Sequence, residues 1–405
     1  MWRIESPKLI AHLARMARDL GRAEDLAADA FVAALAQWPS EGVPQSPGAW
    51  LMTAAKRRLI DRVRRDKTLA EKTEQLQKQH PYDGVEPDFA ATFEEIDDDM
   101  LRLMFVTCHP VLSPEARVAL TLKLLGGLTT AEIARAYLSS EATVAQRIVR
   151  AKRTLGEARV AFDVPEGHER LQRLPPVLEA VYLIFNEGYA ATAGNDVLRP
   201  ELVEDALRLG RMLARLMPHE ADVHGLIALM EIQASRIPAR LASDGSPILL
   251  LDQDRGKWNH LLIQRGLAAL ARAERLGPLG PYTLQASIAA CHARAATPDA
   301  TDWQRIAALY DALAAITPSP VVELNRSVAF GMAYGPEAAL AIVDALLDEP
   351  SLRAYHLLPS VRGDLLFKIG RFDEARLEFE RAHALAGNAR DRALLKKRAD
   401  ECRSG

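Results

Sequence analysis

The sequence predicts an all-α protein: two small helical domains joined by an acidic linker, followed by a long helical-repeat domain. Three features predict this. Apolar residues recur three and four positions apart over long segments, strand-like alternation is scarce, and prolines and glycines gather in short breaks between the periodic stretches. At 405 residues the chain exceeds one ordinary domain. The expected divisions are residues 1–75, a linker over 76–97, a second domain over 98–162, and a repeat domain over 170–405. With 49% hydrophobic and 26% charged residues the composition is that of a soluble globular protein. No apolar run approaches a membrane span and the N-terminus lacks a signal peptide's hydrophobic stretch, so a cytoplasmic protein without a membrane partner is expected. Cys108, Cys291 and Cys402 lie far apart and form no paired motif, which suits a reduced compartment.

Helices are expected near residues 5–20 and 22–37. In the second, Leu26, Ala30, Phe31 and Leu35 are expected to pack inward, leaving Asp25 and Asp29 on the exposed face. Like charges four residues apart are mildly unfavourable in isolation, so a basic partner surface accounts for them. Pro39 to Gly48 holds three prolines and two glycines and is expected to be a loop. A helix over 48–66 follows, and between residues 50 and 67 seven bases face two acids. A cationic helix beside a loop and an aromatic residue suits unpaired nucleotides, with bases stacking on the ring and phosphates held by the bases of the helix. For Trp50 taken alone, a core position is favoured.

Residues 82–100 contain eight acids and no base, and residues 117–159 contain eight bases and three acids. The net charge of −3 therefore conceals two basic islands around an acidic connector. Basic islands of this size suit a polyanion, and the connector would be repelled by it.

Past the connector, helices are expected near 94–108, 114–126, 130–137 and 140–158. Thr129 and Glu132 fit a capping box at the start of a short helix. Leu138-Ser139-Ser140 makes the turn, and Ser140 suits the N-cap of the next helix. There Val144, Ile148, Ala151 and Leu155 fall on one side, while Thr143, Gln146, Arg147, Arg150 and Arg153 fall largely on the other. This is the pattern of a helix-turn-helix whose second helix enters the major groove, with an ordinary helical hairpin bearing a basic exposed face as the alternative.

From residue 170 the chain becomes rich in Ala and Leu, with helix pairs broken by short Pro/Gly turns. Gly363, Leu366, Gly370, Phe372, Ala375, Phe379 and Ala382 have the spacing of a tetratricopeptide-type unit. A fainter copy lies 36 residues upstream, pairing Ser327 with Gly363, Ala339 with Ala375 and Val343 with Phe379. Ala206, Pro218 and Ala228 suggest another unit. Such a domain accommodates a regulatory protein or peptide.

Elsewhere the chemistry is thin. Cys108 and His109 lack further ligands at zinc spacing, so no metal site is expected. Asn186 and Glu187 could line a pocket, with a helix end closed by Gly188 as the alternative. Asp252, Asp254, Arg255, Lys257, Trp258 and His260 contain no nucleophile–base arrangement and are expected to form an ion-pair network. No catalytic residue, cofactor or enzymatic activity is expected.

In this order the pieces resemble the extracytoplasmic-function (ECF) sigma factors of bacterial RNA polymerase. The resemblance lies in Asp25-Leu26-x-x-Asp29-x-Phe31, in Trp50-Leu51-x-x-Ala54-Ala55-Lys56-Arg57-Arg58-x-Ile60-Asp61-Arg62, and in Leu128 to Arg153. Ala28 and Arg57 depart from it, standing where the family commonly has Gln and Asn. The resemblance implies that Glu24, Asp25, Leu26, Asp29 and Phe31 bind core RNA polymerase at the β′ clamp helices, with the β flap as a further contact. It implies that Trp50, Lys56, Arg57, Arg58, Asp61, Arg62 and Arg65 recognise and melt the minus-ten element of promoter DNA. Thr143, Gln146, Arg147, Arg150 and Arg153 would read the minus-thirty-five element. Cys108-His109-Pro110, Leu125 to Glu132, Tyr182 to Tyr189, Asp252 to Arg255 and Thr317 to Pro320 are similar to signatures of a subgroup with a tetratricopeptide-like extension. A DNA-binding regulator without polymerase contact, carrying the same interaction domain, is the alternative.

Overall fold

A computed structural model describes residues 2–74, 93–137, 139–189, 198–243, 248–387 and 389–403; the side chains of 2–4, 61–74, 93–97, 135 and 390 lie outside that description. Among the described residues there are helices and no strand. They divide into two compact units, residues 1–183 and 184–405.

The first unit contains α1 (Trp2–Ala17), α2 (Leu20–Glu41), α3 (Pro47–Glu74), α4 (Phe93–Thr107), α5 (Pro114–Leu124), α6 (Thr130–Ala136) and α7 (Glu141–Glu157). Asp19 starts α2 by accepting from the Arg22 N–H at 2.8 Å. The loop expected from Pro39 begins later than the sequence suggested. Pro39 lies inside α2, because a proline near the end removes one ladder bond only, and the helix stops where Gly42 turns to φ 84° and donates to the Trp38 carbonyl. In α1, Leu9, Ile10 and Leu13 are at most 2% exposed. They form the centre of a core in which α1 packs on α2, α3 and α4.

The helix α8 (Gly167–Tyr189) crosses the division between the units. Its first part is fastened within the first unit: Arg173 donates to the Phe105 carbonyl at 3.1 Å, and Arg117 pairs with Glu179 at 2.6 Å. The two compact units thus divide inside α8, at 183/184, while the boundary between 162 and 170 stands as the expectation from the sequence. Gly188 lies within α8 and is not a left-handed cap. A Cβ there would come 2.7 Å from the Val203 backbone nitrogen, so close approach is what requires glycine.

The second unit continues with α9 (Pro200–Leu216), α10 (Ala221–Ala234), α11 (His260–Leu276), α12 (Pro281–Arg294), α13 (Trp303–Ile316), α14 (Pro320–Tyr334), α15 (Pro336–Asp344), α16 (Leu357–Lys368), α17 (Phe372–Leu385) and α18 (Ala389–Glu401). Proline opens α9, α12, α14 and α15, where its missing N–H is no loss. Helices pack chiefly on their chain neighbours: α13 on α14, α14 on α15, α16 on α17 and α17 on α18. The paired positions of the two C-terminal copies are all interior. Ser327, Ala339, Val343 and Ala375 are 0% exposed, Phe379 is 1% exposed, and a Cβ on Gly363 would touch the Phe379 ring at 3.0 Å.

Candidate nucleic-acid interface

The turn from α6 to α7 is built by reciprocal caps. The Thr129 hydroxyl accepts from the Glu132 N–H at 3.1 Å, and the Glu132 carboxylate accepts from the Thr129 N–H at 2.7 Å. Ser140 caps α7 by accepting from the Thr143 N–H at 3.1 Å. Val144, Ile148, Ala151 and Leu155 are all at most 5% exposed, which fixes the rotation of α7. That rotation leaves Thr143, Gln146, Arg150 and Arg153 exposed and Arg147 partly so. Thr143, Gln146, Arg147 and Arg150 share one groove of about 340 Å³ with Ser113 and Ala116 of the α5 start. Arg153 stands apart from it, 3.4 Å from Glu157.

Along α3 the expected basic face is only partly present. Arg57 is exposed, and Arg58 donates to the Asp29 backbone carbonyl. Lys56, expected among the DNA contacts, is instead 4% exposed, because it falls on the side of α3 shared by buried Leu51, Ala55 and Leu59. Trp50 is half-buried with its ring edge-on to Trp38, centroids 5.4 Å apart at 64°. Trp38 escaped the sequence reasoning because the helix was expected to end at residue 37. The side chains of Asp61, Arg62 and Arg65 lie outside the described residues.

On α2, Asp25 and Asp29 are exposed, Leu26 is buried and Phe31 is half-buried. Leu35, expected inward, is 77% exposed, and Val32 beside it is 63% exposed. The buried face is Ala23, Leu26, Ala27, Ala30 and Ala34, and one further residue rotates a side chain by about 100°, out of that stripe. The outer surface of α2 thus combines two carboxylates with uncovered apolar side chains, a mixture that marks interaction surfaces. Glu24 points elsewhere: its carboxylate pairs with Lys123 at 3.4 Å and with Lys152 of α7.

Behind these surfaces α1 and α4 are joined by buried charge. Asp99 is fully buried, and its carboxylate meets His12 at 3.0 Å, Arg15 at 2.9 Å and Arg102 at 2.7 Å. Burial alone would raise the Asp99 carboxyl, but the His12 hydrogen bond, the Arg15 charge and the Arg102 hydrogen bond together hold it below the ordinary carboxylate range. Cys108 is drawn into the core by hydrogen-bond contacts with Thr121 and Thr107. The pairings of His12, Lys123, Lys152 and Asp99 carried no sequence signal, since each acts through a partner far away in the chain.

The family model "Sigma-70 region 2" matches residues 1–68, "Sigma-70, region 4" matches 102–155, and a family of unknown function, DUF6596, matches 173–274. An uncharacterised protein of Rhizobium meliloti (strain 1021) is 42% identical over 397 residues, covering 97% of this chain and 93% of its own. A Mycobacterium tuberculosis protein named "Probable ECF RNA polymerase sigma factor SigI" is 26% identical over 286 residues, covering 67% of this chain and 95% of its own. The "ECF RNA polymerase sigma factor SigK" of Mycobacterium ulcerans (strain Agy99) is 28% identical over 151 residues, covering 35% of this chain and 75% of its own.

Proposed function

Since the chain belongs to the ECF sigma factors of RNA polymerase and carries a C-terminal helical extension, we propose how its parts divide the work of promoter-specific transcription initiation. Binding core polymerase and promoter DNA is the family's function. In the proposed division, the α2 surface of Asp25, Asp29 and Val32 takes the β′ clamp helices, while the α5–α7 domain adds the β flap. The exposed part of α3 with Trp50 takes the opened minus-ten strand, and Thr143, Gln146, Arg147 and Arg150 read the minus-thirty-five element. Two modules on one chain reading two short sites jointly reach an affinity that neither has alone.

The observation that carries this division is the rotation of α7, with its apolar stripe buried and four polar side chains lining one groove. The test is run-off transcription with core polymerase on genomic promoter fragments. Full-length chain should support promoter-specific transcripts, and Asp25→Lys with Asp29→Lys should abolish core association. A double variant that still binds core at wild-type affinity would overturn the assignment of α2.

The extension is proposed to regulate these activities in cis or through a protein or peptide partner. Its roughly 220 residues of packed helix exceed what docking requires, and this supports the idea. Unchanged transcription, in vitro and in cells, from a chain lacking it would remove the idea.

A further inference from the structure

The second unit holds a group of cationic and N–H donors that promoter and polymerase binding leave unused. Arg236 and Arg240 follow α10, Arg255 lies in the Asp252–Arg255 stretch, and His292 is near the end of α12. The guanidinium of Arg240 sits 3.9 Å from the centre of the Tyr189 ring, and that of Arg236 sits 5.8 Å from it. Arg255 lies 4.9 Å over the Trp258 ring. Arg236 is also close enough for its charge to act on Arg240, Arg255 and His292.

Among the described residues, these arginines meet no carboxylate. Arg240 donates to the Tyr189 carbonyl, and Arg255 donates to the carbonyls of His292 at 2.5 Å and Ala295 at 2.6 Å and to the Thr301 hydroxyl at 3.3 Å. These are neutral acceptors, not the ion pairs expected of this stretch. Among the described residues, the guanidinium of Arg236 has neither a hydrogen bond nor a carboxylate partner, its bonds being those of the backbone. The Nε of Arg236, the Nε of Arg255, the Nε1 of Trp258 and the Nδ1 of His292 are buried without a hydrogen-bond partner. Trp258 is 4% exposed and His292 is 7% exposed. One such orphan is ordinary, but several on residues tied together by the Arg255–Trp258 stacking and the Arg255–His292 hydrogen bond suit an anion with several acceptor oxygens.

We propose that this cluster is a binding site for a small phosphate dianion, free or as the phosphate group of a monoester. A dianion supplies oxygen acceptors in several directions and offsets guanidinium charge, which a water molecule does not. Burial, and then the charges of Arg236 and Arg255, push His292 down to about 4. At neutral pH the ring is therefore uncharged and can donate one N–H without adding to the positive charge. The proposal is independent of the promoter and polymerase assignments.

The test is thermal unfolding of the full-length chain titrated with inorganic phosphate, with methyl phosphate and with acetate, all at fixed ionic strength. Saturable stabilisation by phosphate or methyl phosphate is expected, about 5 °C at a hundredfold excess over Kd, with acetate weaker. Methyl phosphate binding as well as phosphate identifies a monoester site, and preference for phosphate identifies the free ion. Arg236→Gln should lose about tenfold or more in affinity while melting no lower than the wild type without ligand, since it sheds repulsion from neighbouring arginines and, among the described residues, no acid partner. Trp258→Phe keeps the packing, loses the N–H, and should bind severalfold more weakly. The proposal is overturned by no saturable shift, by an equal shift with acetate, or by Arg236→Gln retaining the full shift. It is equally overturned by Arg236→Gln melting well below the wild type without ligand.

Discussion

His12 and Asp99, 87 residues apart in the chain, meet in the interior of the first unit with Nδ1 and a carboxylate oxygen 3.0 Å apart. With Arg15 and Arg102 they join α1, in the part matching sigma region 2, to α4 at the start of the part matching region 4. The last acid of a strongly acidic stretch thus ends as a buried anchor.

Removing that anchor leaves cationic partners uncompensated. Asp99→Ala is expected to destabilise the first unit by about 3 kcal/mol, somewhat less if Arg15 relaxes into water. Because the Asp99 carboxyl is held below its unfolded value, its contribution is complete above the unfolded pKa, about pH 4, and fades as pH falls through the lower folded value. Urea unfolding of wild type and variant should differ from pH 6 to 8 and converge in acid. Parallel curves at every pH would show that the anchor is not ionic.

Glu24, turned inward here but counted by the resemblance among the polymerase contacts, gives a prediction that rests on the proposed docking of α2. Its pairing with Lys123 and Lys152 competes with any external partner. Lys152→Ala removes one partner of a partly exposed pair worth about 0.5–1 kcal/mol, so core-polymerase affinity should rise about two- to fivefold. Equilibrium binding to core enzyme checks this, and a fall in affinity would contradict it.

The recognition helix separates reading from folding. Arg150→Ala should cost about 1–3 kcal/mol of discrimination at one base pair of the upstream element and leave stability unchanged. Ser140→Ala should cost about 1 kcal/mol of stability through the lost cap. Promoter-variant binding and thermal melts distinguish the two effects.

In the second unit, Gly225 faces Thr283 so closely that a Cβ would lie 2.7 Å from the Thr283 backbone nitrogen. Gly225→Ala therefore forces α10 from α12 and should cost about 1–3 kcal/mol, visible as a lower melting temperature. A neutral result would show that these helices slide freely.

The division inside α8 predicts unequal truncations. A chain ending at residue 165 loses Arg173 and Glu179, which fasten α8 within the first unit; one ending at residue 189 keeps both. The shorter chain should unfold at lower urea than the first unit of the longer one. Equal midpoints would return the boundary to the stretch near residue 165.

Much of this protein was decided locally and was therefore legible in its residues. The Thr129/Glu132 and Ser140 caps and the buried stripe from Val144 to Leu155 act within one or two turns, and the structure reproduces them. The acidic face of Asp25 and Asp29 is likewise a matter of helical period. Where three-residue and four-residue spacings competed, sequence alone misassigned Leu35 and Lys56, since one residue of rotation decides inside from outside. The His12–Asp99 anchor, the Glu24–Lys152 pair, the seat of α8 and the arginines around Tyr189 and Trp258 were decided only by tertiary structure. Each depends on groups brought together across tens of residues. There burial removes water as a partner, and the groups that remain determine whether a charge is satisfied.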